Sequence, residues 1–212
     1  MDVTWRGTLP YRQAWAEQVQ YREEVIAGRA GPALWLLEHP PVITTGRRDA
    51  AVDEVRVREA GFELCRTERG GLATCHEPGQ LVGYVFVDVS EGGIRALVAA
   101  LERGIAAWLD GVGVRAGPRS GHPGVWVGTD KVCALGLHVH RGVTMHGFAL
   151  NLVNDLRGFG LITPCGILDG GVTTVARLVV GAPTPAEAAP GVGRAVAASV
   201  GRFRLDSPGV HG

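Results

Sequence analysis

The chain has 212 residues, 46% of them hydrophobic and 20% charged, and its 21 lysines and arginines balance its 21 aspartates and glutamates. That is enough chain for one sizeable core, and zero net charge gives no electrostatic case for nucleic acid or a membrane surface as partner. No run approaches the roughly 20 apolar residues of a transmembrane helix. "MDVTWRGTLPYRQAW" lacks both the basic and the apolar region of a secretory signal. A cytoplasmic protein with reduced thiols is expected, and Cys65, Cys75, Cys133 and Cys165 contain no CxxC pair, which disfavours structural zinc and a disulfide framework.

In chain order, residues 10–28 read as a helix, with Pro10 at its start, Gly28 at its end and Trp15, Val19, Arg22 and Ile26 at helical spacing. "ALWLLEH" reads as a buried strand and "PPVITTGRR" as a loop. "FELCRTE" is a strand leading into a polar, glycine-rich loop, "RGGLATCHEPGQLVGY", and "QLVGYVFVDV" is a further strand. "SEGGIRALVAALERGIAAWLDG" is a helix with Ser90 as N-cap, Gly111 as stop and an apolar face of Ile94, Leu97, Leu101, Ile105, Trp108 and Leu109. "GVWVGTDKVCALGLHVH" predicts a hairpin turning near Gly128, Thr129 and Asp130, and "VTMHGFALNLV" one more strand. From residue 181 the pattern gives a linker and a terminal helix. Strands that adjoin through turns, with helices between, argue for an α/β (α+β) protein with a mixed, largely antiparallel sheet flanked by helices.

Several residues carry chemistry. Cys165 in "ITPCGI" sits between Pro164 and Gly166, a setting that exposes a side chain; a buried thiol is the alternative. Lys131 is the single lysine among 20 arginines. An ammonium can shuttle a proton as a guanidinium cannot, though a lysine at a hairpin turn is commonly solvated. His76 is suited to proton exchange or ligand orientation, or to a structural hydrogen bond. Adjacent side chains on extended backbone diverge, so at most one of Cys75 and His76 faces a site. His138 and His140 share a strand face, but no third ligand stands at a telling spacing, so no metal is expected. His146 precedes a glycine that lets backbone approach a ligand. The glycines of "RGG" are candidates to present N–H groups to an oxygen, and the nucleotide-binding glycine motifs are missing.

Taken in order, "EHPPVITTG", "RGGLATCHEPGQLVGY", "GVWVGTDKVCALGLHVHRGVTMHGFALNL" and "ITPCGI" resemble the successive motifs of the lipoyl(octanoyl) transferases, the LipB family, over about residues 30 to 180. The separation of Lys131 and Cys165, 165 − 131 = 34 positions, matches that family. The resemblance implies a single domain of the biotin/lipoate-protein ligase fold, with catalysis in residues 1–180 and residues 181–212 as linker and packed C-terminal helix. It implies transfer of an octanoyl or lipoyl group from acyl carrier protein to a lysine of apo lipoyl domains through a thioester on Cys165, with Lys131 as its partner and no cofactor. The acyl-binding stretches map to Arg69, Gly70, Gly71, Leu72, Ala73, Thr74, Cys75 and His76, to Ala134, Leu135 and Gly136, and to Gly147, Phe148 and Ala149. One departure stands out: the family more often has Tyr-His-Gly where this chain has Cys75, His76 and Glu77. That change removes an aromatic hydroxyl and adds a carboxylate opposed to thiolate formation if it points inward. Rival readings are an ATP-dependent ligase of the same fold, which needs no cysteine, a non-catalytic acyl-binding protein and a thiol hydrolase.

Overall fold

The computed structural model describes residues 1–46, 52–162 and 170–206, with side chains to residue 202. Strands β1 (Asp2–Thr8), β2 (Ala33–Glu38), β6 (Gln80–Phe86), β7 (Gly117–Arg119), β8 (His122–Val127), β9 (Asp130–His140) and β10 (Val143–Asn151) form a seven-stranded sheet in the order β1-β2-β6-β10-β9-β8-β7. Within this sheet only β1 and β2 run parallel and every other pair is antiparallel, in agreement with the largely antiparallel sheet expected. β3 (Val42–Thr45), β4 (Glu63–Arg66) and β5 (Thr74–His76) make a second, three-stranded sheet ordered β4-β3-β5.

Helices cover both faces of the large sheet. α3 (Gly93–Gly111) and α4 (Pro185–Asp206) pack on each other and on one face, over a core that includes Leu34, Leu81, Val85, Leu101, Ile105, Phe148 and Val196. Each such side chain, fully buried, contributes about 1.5–3 kcal/mol. α1 (Tyr11–Ile26) covers the opposite face, over Leu37, Val82, Tyr84, Phe86 and Met145. The small sheet and α2 (Glu54–Glu59) enclose a third cluster of Ile43, Val57, Phe62, Cys75 and Ile162. No helix among the described residues is long and apolar enough to cross a membrane.

The structure corrects several expectations. "PPVITTGRR" is not all loop: its β-branched run Val42–Thr45 is β3. Thr74–His76, read as loop, is β5, paired to β3. α2, β1 and β7 were not foreseen. Ser90 does not cap α3; its hydroxyl and N–H both donate to Asp88, and the helix starts after Gly92. α3 does end at Gly111, its last helical residue, as expected. Ile94, expected on the apolar face, is exposed. The buried stripe of α1 is Tyr11, Ala14, Gln18 and Arg22; of the residues read from sequence Arg22 is on it, while Trp15 and Val19 flank it, partly buried. The expected linker is helical from Pro185: Thr184 and Glu187 form a capping box, with Glu187 accepting from the Thr184 N–H at 2.9 Å and Thr184 Oγ1 accepting from the Glu187 N–H.

β10 and β6 approach unusually closely. A Cβ on Gly147 would run into the Gly83 carbonyl oxygen. Gly147→Ala is therefore expected to destabilise the protein by about 1–3 kcal/mol in denaturant melts, as overpacking does. Gly128→Asn, at a left-handed turn position with open space around it, is expected to leave the midpoint nearly unchanged.

Candidate active site

Residues directly opposite each other in an antiparallel pair share a face. On the face toward α1, Val82, Ala149 and Ala134 form one row across β6, β10 and β9, and Tyr84, Gly147 and Gly136 form the next; Gln80 and Asn151 precede them. Alanine and glycine at the middle of these rows leave a groove in the sheet surface. The segment Arg69–Thr74 passes over it: the Gly70 N–H donates to Leu137 O at 3.1 Å, and the Gly70 carbonyl oxygen lies 3.1 Å from where Gly136 would carry a Cβ. Tyr11, His76 and His146 complete the walls of a narrow cavity of about 70 Å³ that opens to solvent.

Lys131 reaches this groove through a β-bulge. Val125 pairs with Cys133 but Trp126 pairs with Lys131, so β9 spends one extra residue there. Strict alternation would send Lys131 to the face of Cys133, whose side chain lies in the core under α3 and α4. The bulge re-aims it beside Trp126, with the ammonium 4.7 Å from the ring centroid. The chain following residue 169 is stitched to the same point: the Lys131 N–H donates to Gly171 O at 2.9 Å, and the Thr173 N–H donates to Lys131 O at 3.0 Å.

A buried amide relay joins these parts. Gln80 Nε2 donates to the Cys75 carbonyl at 3.1 Å and to Asn151 Oδ1 at 2.9 Å, and Asn151 Nδ2 donates to the Thr173 carbonyl at 3.1 Å. Backbone carbonyls only accept, so both amide orientations are fixed by chemistry. Gln80 Oε1 is then the acceptor for His76 Nδ1 at 2.8 Å, which puts the proton on Nδ1 and leaves Nε2 as an acceptor.

Burial sets the charge of the groove. It pushes the His76 imidazole well below its usual range, helped by His39. It lowers His146 to about 3, with Arg69 next in effect, and His39 to about 4. His39 bridges Leu9 O and the Tyr84 hydroxyl, each at 2.6 Å. Burial likewise raises Tyr11 and Tyr84, so both hydroxyls stay protonated. Arg69 is a clamp: its guanidinium donates to the Thr44 carbonyl at 2.6 Å, to Thr44 Oγ1 and to Gly70 O.

Of the residues expected at the site, Arg69 to Thr74, His76, Lys131, Ala134 to Gly136 and Gly147 to Ala149 all line the groove. Cys75 does not. Alternation along β5 turns it into the cluster with Phe62 and Ile162, where burial and then Glu77 push its thiol up. The Cys75 side chain is therefore no part of the groove wall. Glu77 points away too, accepting from Asn154 Nδ2 at 3.1 Å and the Gly158 N–H at 3.3 Å. The Gly70 N–H, a candidate oxygen ligand, is already spent on Leu137. Cys165 lies outside the described residues. Tyr11, Val82 and Tyr84 were missed: Tyr11 comes from α1, outside the motifs, and Val82 and Tyr84, though inside one, were read only as strand residues. Among the described residues no group of three His, Cys, Asp or Glu side chains is placed to hold a metal; His138 sits beside Arg22 and His140 is exposed.

The model of the lipoyl protein ligase A/B catalytic domain matches residues 10–196. The chain belongs to this family. Among the family's relatives, an octanoyltransferase of Alkaliphilus metalliredigens is 40% identical over 186 residues, 84% of this chain and 85% of its own. That of Salinispora arenicola is 40% identical over 208 residues, 95% of this chain and 96% of its own. Among solved structures, lipoate-protein ligase A bound with ATP superposes with a TM-score of 0.73 at 17% identity, covering 97% of this chain and 86% of its own. Biotin protein ligase from Aquifex aeolicus, in complex with biotin and ATP, gives 0.60 at 12% identity, covering 97% and 73%. The family fold is thus the lipoate/biotin ligase fold in one domain.

Two measurements follow from this electrostatic picture. Gln80→Glu places a carboxylate on His76 Nδ1 and is expected to raise the His76 pKa toward neutrality in an NMR titration, while Gln80→Met is not. Second, His39, His76 and His146 are neutral when folded and titrate near about 6.5 when unfolded. Below that pH the unfolded chain binds more protons, so the stability they contribute is full above about pH 6.5 and falls as pH drops toward the folded values. Denaturant midpoints are expected to decline steadily from pH 7 to pH 4.5; a flat profile would contradict the assignment.

Proposed function

We propose that this chain transfers an octanoyl group from acyl carrier protein to a lysine of apo lipoyl domains, through a thioester on Cys165. The observation that carries the reading is Lys131, turned by a bulge to a groove floored by alanine and glycine and bonded on both sides to the chain that follows Cys165. The octanoyltransferase relatives at about 40% identity over most of the chain support the acyl group and the reaction class.

In the first half, the Cys165 thiolate, stabilised by the Lys131 ammonium, attacks the carbonyl of the octanoyl thioester. A C–S bond to Cys165 forms, the C–S bond to the carrier breaks, and the carrier leaves as thiolate and takes the proton of the Lys131 ammonium, leaving Lys131 as a neutral amine. In the second half, the acceptor lysine amine attacks the acyl-enzyme, its proton passes to Lys131 acting as base, and Cys165 is released. An amide replaces a thioester, so no ATP is consumed. The groove rows of Val82, Ala149 and Ala134 and of Gly147 and Gly136 hold the chain, and the His76 acceptor nitrogen orients the incoming N–H. Residues 1–180 carry this chemistry, with α4 as a packed support, in a cytoplasmic setting.

Incubation with octanoyl-carrier protein is expected to add the mass of one octanoyl group, lost in Cys165→Ser and discharged by an apo lipoyl domain. Lys131→Arg keeps the charge but not the base and is expected to lower turnover by about 10²–10⁴-fold. Acylation that requires ATP and free octanoate would replace this reading with the ligase. A mass shift that persists in Cys165→Ser would move the nucleophile elsewhere.

A further inference from the structure

His146 breaks the pattern of its strand. Its neighbours Met145 and Gly147 face α1, so alternation assigns His146 to the α3/α4 face with Phe148. Instead it has φ +60°, a left-handed conformation that costs a residue with a side chain about 1 kcal/mol or more and concentrates at functional positions. That backbone brings its ring to the groove, against Tyr84 with centroids 6.3 Å apart. The conformation is held from α1: the His146 N–H donates to Gln18 Oε1 at 2.9 Å.

The surroundings are polar and unsatisfied. His146 is 2% exposed, Gln18 0% and Arg22 8%, and His146 Nε2, Gln18 Nε2 and Arg22 Nε have no hydrogen-bond partner. The Gln18 amide approaches the Tyr84 hydroxyl, and Arg22 Nη1 donates to Met145 Sδ at 3.0 Å. Buried polar atoms of folded proteins are nearly always paired, with protein, water or ligand. Three orphans in one neighbourhood, behind a ring that lines a cavity, mark a place whose partner comes from outside the chain. Its position is informative. Lys131 stands at one end of the groove; His146 lies opposite Leu137, six residues further along β9, or about 17–20 Å at strand rise, allowing for the bulge. The two ends differ in kind: an ammonium at one, a neutral imidazole at the other.

We infer that His146, seated by Gln18, is a specificity-determining residue: it closes the groove with a polar end that accepts a hydrogen-bonding atom on the distal carbon of an acyl chain and turns back bare chains that reach it. This rests on the proposed reaction, which puts the acyl carbonyl at Lys131. A methyl terminus that stops short leaves the orphan atoms to water. A longer bare chain strips that water and offers no hydrogen bond in return, whereas a terminal hydroxyl supplies one.

Calorimetric titration of the full chain with octanoate, decanoate and 8-hydroxyoctanoate tests this. The wild type is expected to bind octanoate at least about fivefold tighter than decanoate and to hold 8-hydroxyoctanoate within about threefold of octanoate; a purely apolar end would cost the hydroxyl tenfold or more. His146→Gly, which suits the left-handed backbone, is expected to reverse the octanoate-over-decanoate preference and to weaken 8-hydroxyoctanoate about tenfold relative to octanoate. Gln18→Met, near-isosteric, is expected to shift both ratios the same way by less. Unchanged ratios in His146→Gly, or a wild type that rejects the hydroxylated acid, overturn the inference. If no acid binds while the octanoyl-enzyme still forms, the polar end falls alone; if neither occurs, the proposed reaction falls with it.

Discussion

The site depends on two amide side chains that face each other across β6 and β10. Gln80 and Asn151 occupy directly opposed positions in the ladder, and their hydrogen bonds run outward in both directions: through Gln80 to His76 and the β5 backbone, through Asn151 to Thr173 and so to the Lys131 peptide. Three chain segments separated by roughly half the sequence meet on this one pair. Each amide nitrogen and oxygen of the pair has a partner, which makes a buried polar network an asset; leaving one unmatched would cost about 1–3 kcal/mol. The pair also decides a protonation state, because it dictates which imidazole nitrogen of His76 holds the hydrogen.

Around that pair the groove exists because side chains are absent. Ala134, Gly136, Gly147 and Ala149 make a floor low enough for an extended apolar chain, and the Arg69–Thr74 segment closes over it, fastened by the Arg69 clamp to Thr44 and by Gly70 to Leu137. Desolvation then separates the functional groups. Imidazoles and phenols deep in the groove are held neutral, so they act as hydrogen-bonding surfaces, while Lys131 stands half-buried at the edge, over an indole that favours its charge.

Much of this was legible beforehand. Helical spacing and β-branched runs located α1, α3, β2, β6, β8, β9 and β10, and the antiparallel character followed from the turns. The short apolar runs were ambiguous: Val42–Thr45 looks like the end of a proline loop until β4 and β5 flank it. The Thr184–Glu187 capping signal was present in the sequence and was read as linker, because glycines and prolines follow it. The groove stretches were named from motifs, but periodicity could not show that β5 turns Cys75 inward, or that α1 buries Ala14 and Gln18 more deeply than Trp15 and Val19. A left-handed histidine and a one-residue bulge leave no trace in composition or spacing. Both arise from tertiary packing, and both re-aim a side chain onto the groove.

The bulge has a consequence for the choice of nucleophile. By sequence distance the thiol nearest Lys131 is Cys133, two residues away, and a lone cation beside a thiol is the usual recipe for a reactive thiolate. The extra residue sends the two side chains to opposite faces of β9. Cys133 is then fully buried under α3 and α4, and desolvation raises its thiol far more than Lys131 lowers it. Cys75 meets the same fate among aromatic and aliphatic side chains. Cys65, beside Glu63, is pushed up to about 11, chiefly by burial. All three described thiols are thereby made inert by the packing that builds the groove. A cysteine thioester in this chain therefore calls for the fourth, Cys165, on the stretch whose downstream end is hydrogen-bonded to Lys131 on both sides of its peptide.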